Sequence, residues 1–429
     1  MKSTSISPQE FIQFMEAEGL KKGYVINLDG KLIVSNDAFL PLFRFIQTSP
    51  DYKEHEGVFW EIEAETGSLY VVAIHRTNRG AGQGGTRLKQ YPTVENLFTD
   101  ALRLAKGMND KNACAGLWWG GGKSIIHPNE HPRALAGEKR ERVFKHFGLF
   151  IASLNGAYVC AEDMNVTPND LRIVHAHNRY TTCVPEEIGG SANPSGFTAR
   201  GVFMGLLAGV HFMEGKADKT VIDLSGKHVL LQGAGNVGWA LMEEIVAAGG
   251  RVTVFDISDV TKSAIRAKFT TDQVQIEEDI TTFYGLEADI FAPCAIGAIL
   301  NDETIPNLKV KLIAGAANNQ LKDSIAHAEA LHERGILYLP DFIINRMGIV
   351  NCANEQYGYL LDTIEEKILE VYDFSHHLLQ KSKEMDISPE LKAMEMAEQL
   401  SRVNHPIWGH RGIKIIAQLQ KDNWSLIDN

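Results

Sequence analysis

HVLLQGAGNVGWALMEEIVAAGGRVTVFD, residues 228–256, is the stretch that decides the fold. A strand pattern precedes the motif G-x-G-x-x-G at Gly233, Gly235 and Gly238, a helical pattern follows it, and a second strand pattern ends at Asp256. This succession of strand, turn, helix and strand is typical of a nucleotide-binding βαβ unit, whereas the glycine motif alone would be weak support. A glycine-rich turn that binds no nucleotide stays the alternative.

The residues of this turn predict which cofactor it binds. The first glycine permits the tight turn, the second lets the backbone approach a pyrophosphate, and the third lets the helix pack on the strand. The helix N-terminus offers free N–H groups to the phosphates. Asp256 can accept hydrogen bonds from a ribose 2′-hydroxyl and would repel a 2′-phosphate, which favours NAD over NADP. The predicted cofactor-binding residues of this segment are Gly233, Gly235, Asn236, Val237, Gly238 and Asp256.

Further apolar segments of strand length follow, at residues 288–294 (ADIFAPC) and 311–316 (KLIAGA). Helical or mixed segments separate them, a rhythm typical of a parallel α/β sheet. The segment GGSANPSG at 189–196 is rich in Gly, Ser and Pro and is the best candidate for a hinge between domains. The sequence therefore predicts the α/β class, with an N-terminal α/β domain before the hinge and a Rossmann-type domain after it.

The composition argues against several classes of function. The 429 residues carry a formal net charge of −12, which disfavours nonspecific binding to nucleic acid or to an anionic membrane. The longest mostly apolar run, residues 201–213, is too short to span a bilayer. Five scattered cysteines form no CxxC pair and no metal-ligand spacing, as in reduced cytoplasmic proteins. We therefore expect a cytoplasmic protein with no metal, no nucleic-acid partner and no membrane partner.

The segment LWWGGGKS, residues 117–124, combines three glycines with Lys123. A P-loop requires a glycine six residues before its lysine, and Leu117 occupies that position, so the register excludes a P-loop. The glycines interrupt the strand pattern, which resumes at residues 124–126. Two other charged residues, Lys106 and Asp163, each lie beside a segment with an apolar helix or strand pattern. From the residues alone, Lys106 is interpreted as a solvated lysine on a helix that begins after Thr93, and Asp163 as a turn or N-cap residue.

Several segments give the chain a resemblance to a known family. They are GGTR (84–87), DALRLAKGM (100–108), KNACAGLWWGGGKSII (111–126), AEDMNVTPNDL (161–171), NPSGFTARGV (193–202), GAGNVG (233–238), DIFAPCAIGAILNDETIP (289–306), IAGAANNQL (313–321) and GILYLPDFIIN (335–345). In this order they resemble the Glu/Leu/Phe/Val dehydrogenase superfamily of NAD(P)-dependent amino-acid dehydrogenases, and within it the leucine/phenylalanine/tryptophan dehydrogenase branch. Residues 1–47 and the tail after about residue 405 lie outside the resemblance.

The resemblance implies a domain organisation and a reaction. It implies an N-terminal extension at 1–47, a substrate-binding and catalytic domain at 48–195, a Rossmann-type NAD-binding domain at 196–345, and a C-terminal helical segment at 346–429 that packs on the substrate domain. The implied reaction is the reversible NAD-dependent oxidative deamination of an L-amino acid to its 2-oxo acid, with release of ammonium. A homo-oligomer is expected, with a small-molecule amino acid or 2-oxo acid as its partner.

The resemblance also assigns roles to individual residues. It implies that Lys106 binds the substrate α-carboxylate, that Lys123 is the catalytic lysine, and that Asp163 handles protons at the substrate amino group. Burial beside Lys106 and a bound nicotinamide cation would lower the pKa of Lys123, as suits a general base. The remaining implied residues are Gly84 and Gly85 at the carboxylate site, and Thr198, Asn318 and Asn319 at the nicotinamide carboxamide or the substrate end.

Two departures from the family pattern concern the pocket for the substrate side chain. Relatives commonly carry small residues where this chain has Arg346 and Met347. Arg346 is therefore expected either to anchor an acidic or polar group or to close the pocket. Gln83 stands where the branched-chain enzymes carry an apolar residue and glutamate dehydrogenases a lysine. With the matching positions Ala161, Ile349 and Cys352, this predicts a substrate pocket of mixed polarity.

A third departure is the pair Trp118-Trp119, where relatives usually carry smaller or aliphatic residues. Packing beneath the glycine turn is the preferred interpretation, and a wall for an aromatic substrate is the alternative.

Two alternatives for the function also stay open. One is a biosynthetic enzyme that acts on an aromatic amino acid or its oxo acid. The other is an NAD-binding regulatory protein with impaired catalysis, for which Arg346-Met347 is the argument.

Overall fold

The computed structural model describes residues 3–191, 193–357 and 361–427, without the side chains of Tyr357 and Leu361. The chain forms two compact units. Unit 1 comprises Met1–Ala192, Glu355–Tyr359 and Ala397–Asn429, and unit 2 comprises Asn193–Asn354 and Leu360–Met396. The first boundary between the units falls within the glycine- and serine-rich segment 189–196.

Unit 1 is built on a seven-stranded mixed sheet. Its strands are β1 (Lys22–Leu28), β2 (Lys31–Val34), β3 (Gly57–Glu63), β4 (Ser68–Ile74), β5 (Gly82–Leu88), β6 (Gly120–His127) and β7 (Tyr158–Ala161), in the order β2-β1-β3-β4-β6-β5-β7. Strand β5 runs parallel to both β6 and β7, and the other pairs are antiparallel. The N-terminal ends of β5, β6 and β7 therefore meet at one edge of the sheet, and their C-terminal ends at the other.

Five helices within the described residues 3–191 accompany this sheet, and local capping explains where some of them begin. They are α1 (Pro8–Ala17), α2 (Leu40–Thr48), α3 (Val94–Cys114), α4 (Gly137–Ser153) and α5 (Pro168–His177). Ser7 and Glu10 form a capping box at the start of α1. The Thr93 hydroxyl accepts a hydrogen bond from the Asn96 N–H at 3.1 Å, which confirms Thr93 as the N-cap of α3.

Residues 1–47 are an integral part of unit 1. Strand β1 pairs with β3 over five residue pairs, so the predicted extension continues the central sheet. Phe11, Met15 and Phe39 are completely buried in the same hydrophobic core as Trp60 and Phe98. The extension lies outside the family resemblance, and its apolar residues nevertheless complete the core on this side of the sheet.

The three glycines of LWWGGGKS belong to strand β6, contrary to the predicted interruption of the strand. Helix α3 packs so closely on β6 that a Cβ atom at Gly121 would lie 2.2 Å from the Asn109 Cβ and 2.5 Å from the Ala105 carbonyl oxygen. A Cβ at Gly122 would lie 2.6 Å from the Tyr158 ring. Tertiary packing thus overrides the poor strand propensity of glycine, because only glycine permits this close approach.

Unit 2 contains a six-stranded parallel sheet. Its strands are β8 (His228–Gln232), β9 (Arg251–Phe255), β10 (Val274–Ile276), β11 (Ile290–Pro293), β12 (Leu312–Ile313) and β13 (Leu337–Tyr338), in the order β10-β9-β8-β11-β12-β13. The accompanying helices are α6 (Ser195–Glu214), α7 (Asn236–Ala247), α8 (Asp259–Lys268), α9 (Ile280–Gly285), α10 (Ala326–Glu333), α11 (Asp341–Ile344), α12 (Met347–Ala353) and α13 (Leu361–Met385). Counted from β8, this is the strand order 3-2-1-4-5-6 of the Rossmann fold, which confirms the predicted fold class.

Helix α6 is the core helix of unit 2. Among the described helices, it is the one whose length and mean hydropathy of 1.2 would allow it to cross a membrane. However, 67% of that window is buried inside the fold, as in the core helix of a globular domain. Its glycines permit close packing, since a Cβ at Gly205 would lie 2.3 Å from Ile344 and a Cβ at Gly209 would lie 2.7 Å from Leu312.

The chain after residue 346 divides between the two units, where the sequence predicted one segment packed on the substrate domain. Helix α13 packs along α6 in unit 2, where Tyr372 is buried and its hydroxyl lies 2.8 Å from Nδ1 of His211. Helix α14 (Pro389–Ser401) spans the boundary between the units, and α15 (Arg411–Lys421) contacts β1 in unit 1. The apolar face of α13 is buried against α6, which explains why it belongs to unit 2.

Candidate active site

The glycine turn of unit 2 has the geometry of a phosphate-binding turn. Gly233 has a φ of +89°, and a Cβ at Gly238 would lie 2.0 Å from the Gly233 carbonyl oxygen. A Cβ at Gly235, in contrast, would have no atom within 4 Å, so the backbone there is open to a ligand. Gly235 is also the N-cap of α7 and makes no side-chain cap hydrogen bond. The first N–H groups of α7, at Asn236 and Val237, thus lack intrahelical partners and can bind phosphate oxygens.

Asp256 follows β9 directly and lies beside the glycine turn. Its carboxylate accepts hydrogen bonds from the Ala234 N–H at 2.7 Å and from the Ser258 N–H at 2.8 Å. Within the described ranges, no Lys or Arg side chain forms an ion pair with Asp256. This is the arrangement expected of a carboxylate that binds a ribose 2′-hydroxyl.

The other predicted cofactor residues also lie in unit 2. The Thr198 hydroxyl on α6 donates to the Pro194 carbonyl oxygen at 2.9 Å. The Asn318 side-chain oxygen accepts a hydrogen bond from the Asn345 amide at 3.0 Å. Asn319 is exposed and has a φ of +53°. Asn318 and Asn319 lie in the loop after β12, at the carboxyl side of the parallel sheet, where ligands bind in this fold.

Lys123 and Asp163 form a close ion pair in unit 1. Lys123 lies on β6 with 4% of its surface exposed, and Asp163 follows β7. The Lys123 Nζ donates to Asp163 Oδ2 at 2.5 Å. A Cβ at Gly85 on β5 would lie 2.7 Å from the Asp163 Cβ, so the glycine leaves room for this carboxylate. The structure thus brings together the two residues that the sequence predicted as catalytic.

The charges around this pair set its protonation. Burial lowers the pKa of Lys123, the Asp163 carboxylate opposes that shift, and the Arg87 guanidinium adds to it. Burial would raise the pKa of Asp163, but the positive charges of Lys123 and Arg87 outweigh it and lower that pKa to about 2. The main cause of the lowered Lys123 pKa is therefore burial, as predicted. The neighbouring cation that lowers this pKa further is Arg87, whereas the sequence analysis expected Lys106.

Arg87 is a residue of the site that the sequence did not single out. Its Nε lies 3.3 Å from Asp163 Oδ2, and its Nη1 donates to Asp100 at 2.8 Å. Tyr91 also donates to this Asp100 carboxylate, at 2.5 Å. Arg87 lies two residues after Gly85 on β5, so the alternation of side chains along a strand places both residues on the same face. This spacing could have identified Arg87 as a neighbour of the site from the sequence.

Lys106 is held by a neighbour on its own helix. Its Nζ donates to both carboxylate oxygens of Asp110, at 2.7 and 2.6 Å, four residues further along α3. Burial raises the pKa of Asp110 against the opposing charge of Lys106. Residues four apart are neighbours on a helix, so this ion pair could have been predicted from the sequence. Gly84 lies in the adjoining part of the sheet, where a Cβ would lie 3.1 Å from Met108 of α3.

The residues predicted for the substrate side-chain pocket are distributed over both units. In unit 1, Ala161 ends β7 with 3% exposure, and Gln83 is completely buried within β5. The Asn112 amide donates to the Gln83 side-chain oxygen at 3.3 Å, so Gln83 takes part in the packing of α3 on the sheet. In unit 2, Ile349 is half-buried and Cys352 is buried on α12.

Arg346 has partners other than the predicted substrate group. It is 3% exposed, its Nη2 donates to the Glu370 carbonyl oxygen at 3.1 Å, and its guanidinium lies 5.0 Å from the centre of the Phe374 ring. Met347 is completely buried against Gly201 of α6. These contacts join the start of α12 to α13 within unit 2, and the expectation that Arg346 anchors an acidic or polar group or closes the pocket stays a prediction.

Trp118 and Trp119 immediately precede β6 and differ in their surroundings. Trp119 is 5% exposed, and its indole N–H donates to the Gln356 side-chain oxygen at 2.8 Å. Trp118 is 39% exposed and lies against the Arg79 guanidinium, 4.4 Å from the ring centre. Both lie at the N-terminal end of β6, whereas Asp163 follows the C-terminal end of the parallel strand β7.

The Rossmann-type sheet with its open glycine turn and the buried lysine–carboxylate pair define the class of nucleotide-dependent dehydrogenases. The family model described as "Glu/Leu/Phe/Val dehydrogenase, dimerisation domain" matches residues 60–180. The model described as "Glutamate/Leucine/Phenylalanine/Valine dehydrogenase" matches residues 252–361.

Similar proteins agree with these matches. Leucine dehydrogenase of Geobacillus stearothermophilus is 40% identical over 360 residues, which are 84% of this chain and 93% of that protein. Phenylalanine dehydrogenase of Lysinibacillus sphaericus is 37% identical over 322 residues, 74% of this chain and 81% of that protein. The crystal structure of L-tryptophan dehydrogenase from Nostoc punctiforme superposes with a TM-score of 0.68 at 33% identity, covering 81% of this chain and 96% of that one. The chain belongs to the Glu/Leu/Phe/Val dehydrogenase family and is an amino-acid dehydrogenase.

Proposed function

We propose that this enzyme uses NAD to deaminate an L-amino acid with an apolar side chain, reversibly, to its 2-oxo acid and ammonium. The observation that carries the proposal is the buried pair of Lys123 and Asp163, two proton-transfer groups in direct contact at 2.5 Å. Perturbed, coupled titratable groups of this kind are typical of active sites. The names of the related leucine, phenylalanine and tryptophan dehydrogenases support an apolar substrate.

The residues of the glycine turn fit NAD. The open backbone at Gly235 and the free N–H groups at the start of α7 suit the pyrophosphate, and Asp256 suits a ribose with a free 2′-hydroxyl. A 2′-phosphate at this position would meet the Asp256 carboxylate, and such a contact between like charges costs several kcal/mol. When bound, NAD accepts the hydride from the substrate α-carbon.

In unit 1, we assign the substrate carboxylate to Lys106. Its side chain is 24% exposed, and its ammonium group is held in position by Asp110. Gly84 and Gly85 leave the adjoining strand without side chains, so a small carboxylate can approach its backbone. The substrate ammonium group must then lose a proton before hydride leaves the α-carbon, and we assign its removal to Asp163.

Lys123 and Asp163 handle protons as one unit. While Lys123 is protonated, its charge keeps the Asp163 pKa low, so this carboxylate is a weak base. When Lys123 is neutral that charge is gone, and Asp163 can accept a proton and pass it to the lysine in hydrogen-bond contact with it. Once Lys123 has released that proton to solvent, its neutral amine takes a proton from the water that attacks the imino carbon. The pair then gives this proton to the carbinolamine nitrogen, and the departing amine takes the hydroxyl proton with it as ammonium.

We further propose a cytoplasmic homo-oligomer. The description of the matching N-terminal family model as a dimerisation domain supports self-association through unit 1. All five cysteines are free thiols in the structure, as in proteins of reducing compartments.

A panel of L-amino acids with NAD and with NADP tests the function. We expect NADH from one or more apolar amino acids, and a preference for NAD over NADP of roughly 100-fold in kcat/KM, because of the like-charge contact at Asp256. Asp256→Ser is expected to reduce that preference at least about tenfold. Binding of NAD without NADH from any amino acid would contradict the proposal and favour the regulatory alternative.

The role of Arg87 predicts a pH effect. Arg87→Gln removes a positive charge that lowers the Lys123 pKa, so the pKa rises and less neutral lysine is present at a given pH. The rise of kcat for deamination with pH is therefore expected to move to higher pH, with roughly a threefold to tenfold loss at neutral pH. Arg87→Lys, which retains the charge, is the matched control. Superimposable pH profiles for Arg87→Gln and the wild type would contradict this role.

A further inference from the structure

Unit 1 contains a cavity that the proposed reaction does not use. It has a volume of about 520 Å³ and lies at the N-terminal ends of the three parallel strands. The residues just before these strands line it, with Gly80 before β5, Trp119 before β6 and Gly156 before β7. Cavities of this size accommodate small organic ligands.

The cavity is separate from the proposed catalytic residues. None of Lys106, Lys123 and Asp163 lines it. Lys123 lies four residues beyond Trp119 along β6, which is about 13 Å in a strand. Part of the wall is Trp408 and Arg411, from the C-terminal tail outside the family resemblance.

Aromatic side chains give the cavity flat apolar walls. Trp118 and Trp408 line it and are 39% and 50% exposed, respectively. Trp408 is stacked on His405, with the ring centres 4.4 Å apart and an angle of 10° between the planes. Exposed indole rings held in fixed positions by their neighbours are suited to stack on a planar ring.

The charged residues of the cavity favour an anion. Arg179 and Arg411 line it, and in the described part of the chain neither forms an ion pair with a carboxylate, although the Arg179 Nη1 donates to the His175 carbonyl oxygen at 3.2 Å. The carboxylate in the wall, Glu355, accepts hydrogen bonds from the N–H groups of Cys183 and Ser191 and from the Ser191 hydroxyl, and burial raises its pKa. Behind Trp118, the Arg79 guanidinium bonds to backbone oxygens of Leu117 and Leu400 and adds a further positive charge.

A buried polar atom in the wall also lacks a partner. Nδ1 of His175 has no hydrogen-bond partner among the described residues, and His175 lines the cavity. An unpaired buried polar atom is costly unless a ligand or water satisfies it. The cavity thus combines stacking surfaces, two guanidinium groups without a carboxylate partner and a histidine with an unsatisfied ring nitrogen.

We propose that this cavity is a second binding site, for a planar aromatic carboxylate, with its ring against Trp118 and Trp408 and its carboxylate at Arg179 and Arg411. The site requires no turnover and is independent of the proposed catalytic roles. Its ligand class follows from two complementarities: an aromatic ring suits the indoles, and a carboxylate suits guanidinium groups that have no carboxylate partner in the described part of the chain.

Calorimetric titration of the full-length protein, with NAD present, tests this proposal with indole-3-acetate as the probe. This compound has the ring and the carboxylate but no α-amino group to oxidise. Trp408→Ala and Arg411→Gln are each expected to weaken its binding about tenfold or more. Ile407→Ala and Arg133→Gln are the matched controls, since Ile407 is 81% exposed beside Trp408, neither residue lines the cavity, and both variants are expected to bind as the wild type does. Tryptamine, which replaces the anion by a cation, is expected to bind more weakly than indole-3-acetate.

Several results would overturn the second site. Absence of indole-3-acetate binding to the wild type would do so, as would equal losses in the control variants. If indole-3-acetate competes with the amino-acid substrate, and if Trp408→Ala does not change this competition, the probe binds at the active site instead. A change of molecular mass in solution with Trp408→Ala would identify a second copy of the chain as the occupant. If indole-3-acetate binds in this way but no amino acid is oxidised, the second site is supported and only the proposed function fails.

Discussion

Lys123→Ala is expected to lower kcat for deamination by roughly 10³- to 10⁴-fold while NAD still binds, because general-base catalysis contributes factors of this size. Lys123 lies in unit 1 on β6, and the glycine turn lies in unit 2, so the substitution does not alter the residues assigned to NAD. The measurements are steady-state turnover with the best amino acid and equilibrium binding of NAD.

Two further variants separate proton transfer from charge. Lys123→Arg retains a positive charge beside Asp163, but a guanidinium group does not release its proton, so this variant is also expected to be inactive. Lys145→Ala removes an exposed lysine on α4 and is expected to behave as the wild type does. Turnover by Lys123→Arg near the wild-type rate would reject Lys123 as the base and leave it a purely electrostatic role.

Asp163→Asn is expected to lower kcat about 10³-fold, since an amide of the same shape cannot accept the proton of the substrate ammonium group. The pH profile discriminates this role from an electrostatic one. The Asp163 carboxylate raises the pKa of Lys123, so its loss lowers that pKa further. If Asp163 only tuned Lys123, activity would persist in Asp163→Asn with its profile moved to lower pH, and we expect loss at every pH instead.

The contact of 2.5 Å between the two groups also predicts how their substitutions combine. Residues that act as one unit are strongly non-additive in their effects on kcat. The kcat of the double variant Lys123→Ala/Asp163→Asn is therefore expected to be about equal to that of the less active single variant. Losses that multiply would mean that the residues act in independent steps.

The glycine turn of unit 2 was predictable as a structure because its determinants are close in sequence, whereas its role in cofactor binding stays a prediction. Gly233, Gly235 and Gly238 lie between a strand and a helix, and Asp256 ends the next strand, so local patterns define the whole βαβ unit. The family and the fold class followed from the collinear motifs and are confirmed. The roles of Lys106, Lys123 and Asp163 came from the resemblance and stay predictions.

Contacts between distant segments were not predictable from local patterns. Arg346 was expected either to anchor an acidic or polar group or to close the pocket, and no pattern near residue 346 indicates its contacts with Glu370 and Phe374 on α13. The pairing of Arg87 with Asp100 likewise depends on how β5 approaches α3. The glycines of β6 were interpreted as a break because glycine disfavours strands, whereas the reason for their presence is the helix packed on them.

The glycines of β6 determine where substrate preference can be changed by mutagenesis. A methyl group at Gly121 would force α3 away from the strand, and Lys106 on that helix would move relative to Lys123 on the strand. Mutant libraries that include residues 120–122 will therefore mainly yield inactive or unstable proteins, whatever substrate is selected for. Libraries at Ala161, Ile349 and Cys352, the positions that the family resemblance implies for the side-chain pocket, do not alter these glycines. Changes of substrate specificity in this enzyme are thus expected to leave the glycines of β6 unchanged.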